Sequence, residues 1–413
     1  MSAIGWVDFS STDRELVSKI IDMLAEPGTL DEIGIGQIRD AFSDTLFPGF
    51  STIQTRARYF LAVPQIFRDY LRLSAKEKRR RPFHLYLKDC ENQLAQSLVD
   101  NHKGREDDLR GIIGSTLVGK GGVARLPSSI YWNGLKKFRI VNTELSLSEF
   151  CRSMANIDDA YVAVVEDKDG EDDRDALRRR EIVRLTPIYD DGWISKAVLP
   201  LTRKEAEFLR DQIRFSPAMT HSVPAQLLEV KLLDKAINGQ FTTFEQLADW
   251  LNTEEKISAQ CRAAIGSAQE FSRMQIGAQI RLDCLVAKRH HQDDRLKQWE
   301  DEYARWEKES RQQGLFQRDA TDSWLKFTSA LGIKVRPKTV AFLRNWNVMM
   351  HANSKPDELD ALVEKRCLDN KKEHSVLRRS PSKDIGQIGT RALDYRWLQT
   401  QRILRDISEG LKC

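Results

Sequence analysis

The stretch "FPGFSTIQTRARYFLAVPQIF", residues 47–67, decides how the first part of this chain is read. A Pro-Gly pair makes a turn, and Ser51 or Thr52 then stands where a helix cap belongs. Advancing about 100° per residue from Ile53 puts Ala57, Phe60, Leu61 and Pro64 on one side of that helix. Gln54, Thr55 and Arg58 fall on the opposite, exposed side, and Arg56 lies beside the apolar arc. Pro64 removes a backbone donor and is expected to kink or end the helix. Upstream, "GIGQIRDAF" reads as another helix, so the segment has the outline of a helix-turn-helix reader. In such a reader exposed side chains reach base edges, while arginines and the helix N-terminus meet phosphates. The connection from Phe42 to Ser51 is longer than the roughly three- or four-residue turn of a standard example. The competing reading packs the helix, pairs Arg56 with Asp40 or Asp44, and leaves Arg58 solvated.

Working outward, 413 residues with 41% hydrophobic content can bury more than one core, and the usual domain size predicts about two or three domains. A charged fraction of 31% is too polar for a membrane protein, and no apolar run is long enough to span a bilayer. The opening "MSAIGWVDFSSTDREL" lacks the basic and apolar regions of a signal peptide, so a cytoplasmic location is expected. Cys90, Cys151, Cys261, Cys284, Cys367 and Cys413 have no C-x-x-C spacing and read as reduced, mostly apolar side chains. Net charge is only +4, but it is unevenly distributed. "KEKRRRPFHLYLK" (76–88) is basic, "EDKDGEDDRD" (166–175) is acidic, and "RRR" follows at 178–180.

The pattern is mainly helical. Capping boxes stand at Thr12 with Glu15 and at Thr202 with Glu205, and "TTFEQLADWL" is a compact capped helix. A short helix is expected from about Pro127 to Phe138, another over "SLSEFCRSM", and an amphipathic one over "DYRWLQTQRILRDI". The long run from "AIGSAQEF" to "WEKES" fits one helix or two. "AYVAVVED" is the clearest strand, and "REIVRLTPIY" and "GWISKAVLPL" read as two more. A mainly helical N-terminal lobe over 1–165, a charged linker over 166–180, and a C-terminal helical lobe over 181–413 with short strands at its start follow from this.

Four further stretches invite chemistry. Lys76, Lys78, Arg79, Arg80 and Arg81 interleave with Phe83, His84 and Tyr86, the composition that binds phosphates and stacks bases, although such a run is also an ordinary solvated turn. "GSTLVGKGG" has the glycine spacing and Lys120 of a phosphate loop, but Gly121 replaces the magnesium-holding hydroxyl, leaving plain anion binding by Lys120 and Arg125. Glu229-Val230-Lys231 resembles half of a restriction-type nuclease site, yet the leucines around it repeat as a helix. His290, His291, Asp293 and Asp294 would share a metal if they lay one turn apart on a helix, with no identifiable third ligand. Trp299, Tyr303 and Trp306 read as a core or interface stripe.

"GWVDFS", "GIGQIRDAF", "STIQTRARYF", "RLPSSIYWNGL", "LTRKEAEFLRDQI" and "LDYRWLQTQRILRDI" occur in this order. Together they resemble the uncharacterised bacterial family DUF6361 over the whole chain. The resemblance brings no catalytic residues. It implies a place among prokaryotic defence genes, near helicases and phospholipase-D-like nucleases.

The expected fold is mainly α with minor β, in two helical lobes, the first carrying the helix-turn-helix-like element. The expected function is a DNA-binding or adaptor subunit of a prokaryotic antiviral defence complex, with protein partners, no cofactor and no catalysis of its own. Arg58, the run from Lys76 to Arg81, Lys120 and Arg125 would contact phosphates, and Gln54 and Thr55 would contact bases. The rival readings are a metal-dependent nuclease or hydrolase built on His290, His291, Asp293 and Asp294, and a protein-interaction scaffold without nucleic acid.

Overall fold

The computed structural model describes residues 31–104, 109–117, 123, 125–154, 183, 189–239, 241–317, 319–378 and 392–413. These are mainly helical. In chain order the helices are α1 (Gly36–Leu46), α2 (Tyr59–Leu71), α3 (Ala75–Arg80), α4 (Phe83–Asn101), α5 (Pro127–Lys137), α6 (Leu147–Ser153), α7 (Arg203–Phe215) and α8 (Val223–Glu229). They continue as α9 (Leu233–Asn238), α10 (Phe244–Thr253), α11 (Ala259–Arg289), α12 (Asp293–Gln312), α13 (Ala320–Ala330), α14 (Pro337–His351), α15 (Pro356–Lys371) and α16 (Trp397–Lys412). Among the described residues the β contribution is one isolated antiparallel bridge, Val141 with Val183. The strand expected at "AYVAVVED", the linker at 166–180 and the capping box at Thr12 lie outside the described residues. At "GWISKAVLPL" the expected strand is replaced by a 3-10 turn over Trp193–Lys196, entered through Gly192 at φ 74°. The indole of Trp193 is tied to Asp69 there (2.8 Å), which holds the segment in a turn.

Two compact units make up the chain. One comprises Met1–Phe42 with Gly266–Leu393, the other Ser43–Ile265 with Asp394–Cys413, so the division falls inside α1 and inside α11.

In the second unit α2 is buried on nearly every side, from Tyr59 through Phe67 and at Tyr70. A helix apolar all round belongs at a core centre, and this one continues through Pro64 to Leu71 without ending. Packing on every face offsets the roughly 3 kcal/mol that an interior proline costs. Phe60 meets Phe138 at 4.8 Å and Tyr131 at 4.8 Å, and Phe67 meets Phe150 at 5.4 Å, which binds α2 to α5 and α6. The capping box expected at Thr202 is formed at the start of α7, and the capped helix expected over residues 242–251 is α10, closed by a box of Thr243 with Gln246. The amphipathic α16 packs along α7, where Gly410 lies against Ala206 and Leu201; a Cβ there would come within 2.8 Å and 2.9 Å of those side chains.

In the first unit Trp324 and Trp346 are fully buried, and Phe271 meets Trp324 at 5.4 Å. Trp299, Tyr303 and Trp306 form the buried stripe that their spacing predicts. The indole of Trp306 lies directly against Gly277, where no side chain would fit. Arg281, 2% exposed, pairs with Asp360, which also accepts from Lys288 at 2.9 Å. The buried and half-buried cysteines are free thiols, as is exposed Cys413.

Candidate nucleic-acid interface

The opening stretch does not form the exposed helix that its spacing predicts. Residues 47–58 run as turns and irregular chain, and the helix starts only at Tyr59. The backbone N–H groups of Thr55 and Arg56 donate to the Tyr131 hydroxyl (2.9 and 3.1 Å), and that hydroxyl donates to the Arg56 carbonyl. These bonds tie Thr55 and Arg56 to a side chain of α5 in irregular chain ahead of the helix. Gln54, expected at a base edge, is 1% exposed; its amide donates to the Gly49 carbonyl at 3.0 Å, and its oxygen accepts from the Ser51 N–H. Thr55 is half-buried. No reader helix is presented at this position.

Arg58 is corrected most sharply. It is 5% exposed and donates to Glu205, to the Pro200 carbonyl and to the Tyr189 hydroxyl (2.9 Å). Glu205 is the residue that completes the α7 capping box, where its carboxylate also accepts from the Thr202 N–H at 2.7 Å. One carboxylate therefore caps a helix and neutralises a buried guanidinium. Burial disfavours its charge, but the Arg58 contact outweighs that and holds its carboxyl below the usual value. Arg56 pairs not with Asp40 or Asp44 but with Asp406 of α16 (3.0 Å), and Asp406 accepts from the Ala57 N–H as well (2.8 Å). There burial prevails over Arg56 and raises the carboxyl. Asp44 is taken by Arg396 at 2.6 Å.

The basic run has the opposite environment. Ser74 and Glu77 form a capping box at the start of α3, turning the helix's one carboxylate back onto its own N-terminus. Lys76, Arg79 and Arg80 are exposed, Lys78 and Arg81 are half-buried, and no α3 residue is buried. Lys76 and Arg80 make no ion pair among the described residues. Arg79 donates to the Ala75 carbonyl (3.3 Å), and Arg81 pairs with Asp89 while lying over the Tyr86 ring at 5.3 Å. Behind the helix the chain is anchored by Phe83, which meets Tyr70 at 4.8 Å and Phe67 at 5.6 Å.

Beside α3 lies a cavity of about 680 Å³ lined by Arg72, Arg81, Tyr86, Cys90 and Trp193, but also by Asp69, Asp190 and Asp191. Three carboxylates offset its cations, so it is no anion site. Burial raises the Cys90 thiol, which disfavours its thiolate form.

The remaining candidates are dispersed. Arg125 is exposed just before α5, and Lys120 lies outside the described residues. Glu229 ends α8 and pairs with Arg214 at 2.6 Å, so the nuclease-like triplet is on a helix end and not a strand. His290 and His291 sit in the turn between α11 and α12, with His291 at φ 52°, while Asp293 and Asp294 open α12. The four are therefore not on one helical face, and among the described residues no three His, Cys, Asp or Glu side chains come together in a way that could hold a metal. Sequence reasoning overlooked Lys136, Lys137 and Arg139 at the end of α5, which share a second cavity. The signal was the Lys-Lys-x-Arg pattern closing a helix.

A family model described as "Family of unknown function (DUF6361)" matches residues 1–410. No curated protein and no solved structure matches the chain.

Proposed function

We propose, from the premise that the chain belongs to the family of unknown function DUF6361, that it binds nucleic-acid backbone as a subunit of a larger assembly. The carrying observation is the contrast in charge compensation within one unit. Arg56 and Arg58 are neutralised inside, whereas Lys76, Arg79 and Arg80 stand together on α3 without a carboxylate partner among the described residues. Phosphates are met by such a cluster without regard to base sequence. Gln54 drops out as a base contact because its side-chain amide is bonded within the fold, and Thr55 because its hydroxyl oxygen is buried. Recognition is therefore sequence-independent, and DNA is the first ligand to test. Membership of a prokaryotic antiviral defence complex remains part of the proposal through the family alone.

The test is duplex DNA binding measured across a salt series. Log affinity should fall linearly with log salt, and Lys76→Ala with Arg80→Ala should reduce the slope by about 2 while weakening all sequences alike. Weak binding that ignores salt, or a slope unchanged in the double variant, removes α3 as the contact surface.

A further inference from the structure

The C-terminal end of α5 borders a cavity of about 730 Å³, lined by Asn133, Lys136, Lys137, Arg139, Thr143 and Glu144, with Ser216 on its far wall. That is the size range in which proteins hold small molecules. Its wall is closed by a specific bond: the Ser216 hydroxyl donates to the Lys137 carbonyl at 2.5 Å, drawing residues 216–218 against the helix end. All these residues belong to one unit.

Three cations face the cavity against one carboxylate, Glu144. The helix dipole favours lysines in a last turn, which explains Lys136 and Lys137 without any ligand. It does not explain Arg139. This residue sits at φ 55°, just past the helix, where glycine is the usual occupant. Its N–H donates to the Lys136 carbonyl (3.0 Å), while the Ile140 and Val141 N–H groups both donate to the Leu135 carbonyl (2.9 and 3.0 Å). A side chain in this left-handed position carries strain that glycine avoids. The strained backbone sets a guanidinium at the cavity. Lys136 is held by the Leu145 carbonyl (3.3 Å) and lies over the Trp132 ring (5.9 Å). Lys137 and Arg139 are exposed and have no ion pair among the described residues.

A helix C-terminus would ordinarily repel an anion. Here the carbonyls of Gly134, Leu135, Lys136 and Lys137 are already bonded to Phe138, Ile140, Arg139 and Ser216. The dipole that remains is weaker than a single charge-assisted hydrogen bond. We propose that this cavity binds a phosphate-bearing small molecule of the nucleotide class. Its phosphates would lie on Lys136, Lys137 and Arg139, and the Asn133 amide would offer both donors and an acceptor to the sugar or base. The inference shares no residue with α3 and stands independently of the nucleic-acid reading.

Calorimetric titration of the full chain with ADP at low salt tests it. Arg139→Gly is the decisive variant because glycine suits the backbone there, so the fold persists while the guanidinium is lost. ADP affinity should fall about tenfold or more in Arg139→Gly and again in Lys137→Ala. The thermal midpoint of Arg139→Gly should stay level or rise, and inorganic pyrophosphate should compete with ADP. Lys76→Ala with Arg80→Ala should leave ADP affinity unchanged, which separates failure of this site from failure of the α3 surface. Three outcomes overturn the proposal. They are no ADP binding by the native chain up to millimolar concentration, equal affinity in Arg139→Gly, or binding of a 5′-phosphorylated oligonucleotide alone.

Discussion

Arg58 and Arg80 belong to the same unit and carry the same guanidinium, yet they have opposite roles in the structure. Arg58 is sealed beneath α7 with Glu205, Tyr189 and the Pro200 carbonyl around it. Arg80 stands in solvent on a helix whose carboxylate is turned away. The local sequence around Arg58, with its turn, its hydroxyl residues and its amide, looks more like a reader than the plain basic run around Arg80. The difference shows that a positive side chain becomes available to a ligand only where the folded chain leaves it without a carboxylate. For Arg58 that carboxylate arrives from 147 positions away.

Breaking the comparison at its buried end should produce the largest effect. Glu205→Ala leaves a buried guanidinium unpaired and uncaps α7, and is expected to cost about 3–5 kcal/mol in urea unfolding. Replacing Arg58 and Glu205 together by methionine should recover most of that loss. If Glu205→Ala unfolds within 1 kcal/mol of the native chain, by the same scale, the pair is not a structural one. Asp360→Ala applies the same test to the other unit, where Arg281 is 2% exposed, and a loss of similar size is expected.

A smaller effect should appear with pH. Glu91 is fully buried beneath the start of α5, where it accepts from the Ser128 hydroxyl at 3.0 Å. Burial pushes its carboxyl from the ordinary 4.5 up to about 8, despite the bonds from Ser128. The folded chain therefore keeps a proton that the unfolded chain releases. This contribution to stability is complete below 4.5 and is lost as pH rises through about 8. Glu91→Gln should flatten the decline, as read from urea midpoints across that window. Glu205 has the opposite sign: its lowered carboxyl adds stability above its unfolded value, which is lost on acidification.

The exposed end of the comparison should respond least. Lys76→Ala with Arg80→Ala is expected to change stability by no more than about 0.5 kcal/mol, because both side chains are exposed and make no ion pair among the described residues. A larger loss would mean that α3 is held by its cations, and the contrast with Arg58 would collapse.

Much of the architecture was legible from the sequence because it depends on neighbours three or four positions apart. Helical periodicity placed α5, α6 and α16, hydroxyl-acid spacing placed the cap of α7, and the capped pattern of residues 242–251 placed α10. The same periodicity failed at 51–58, where the Tyr131 hydroxyl, about 75 positions along the chain, binds the backbone of Thr55 and Arg56 in irregular chain. It failed again at His290 and Asp294, which a turn separates.

By itself the sequence determined a mainly helical chain, its caps, its tryptophan stripe and the exposed character of α3, since each follows from local spacing and composition. The tertiary structure alone decided which cations remain free, which carboxylates serve two masters, and that Lys136, Lys137 and Arg139 face a shared cavity. The physical reason is that charge compensation acts through space at a few ångströms, and nothing in the linear order says which distant side chain will come that close.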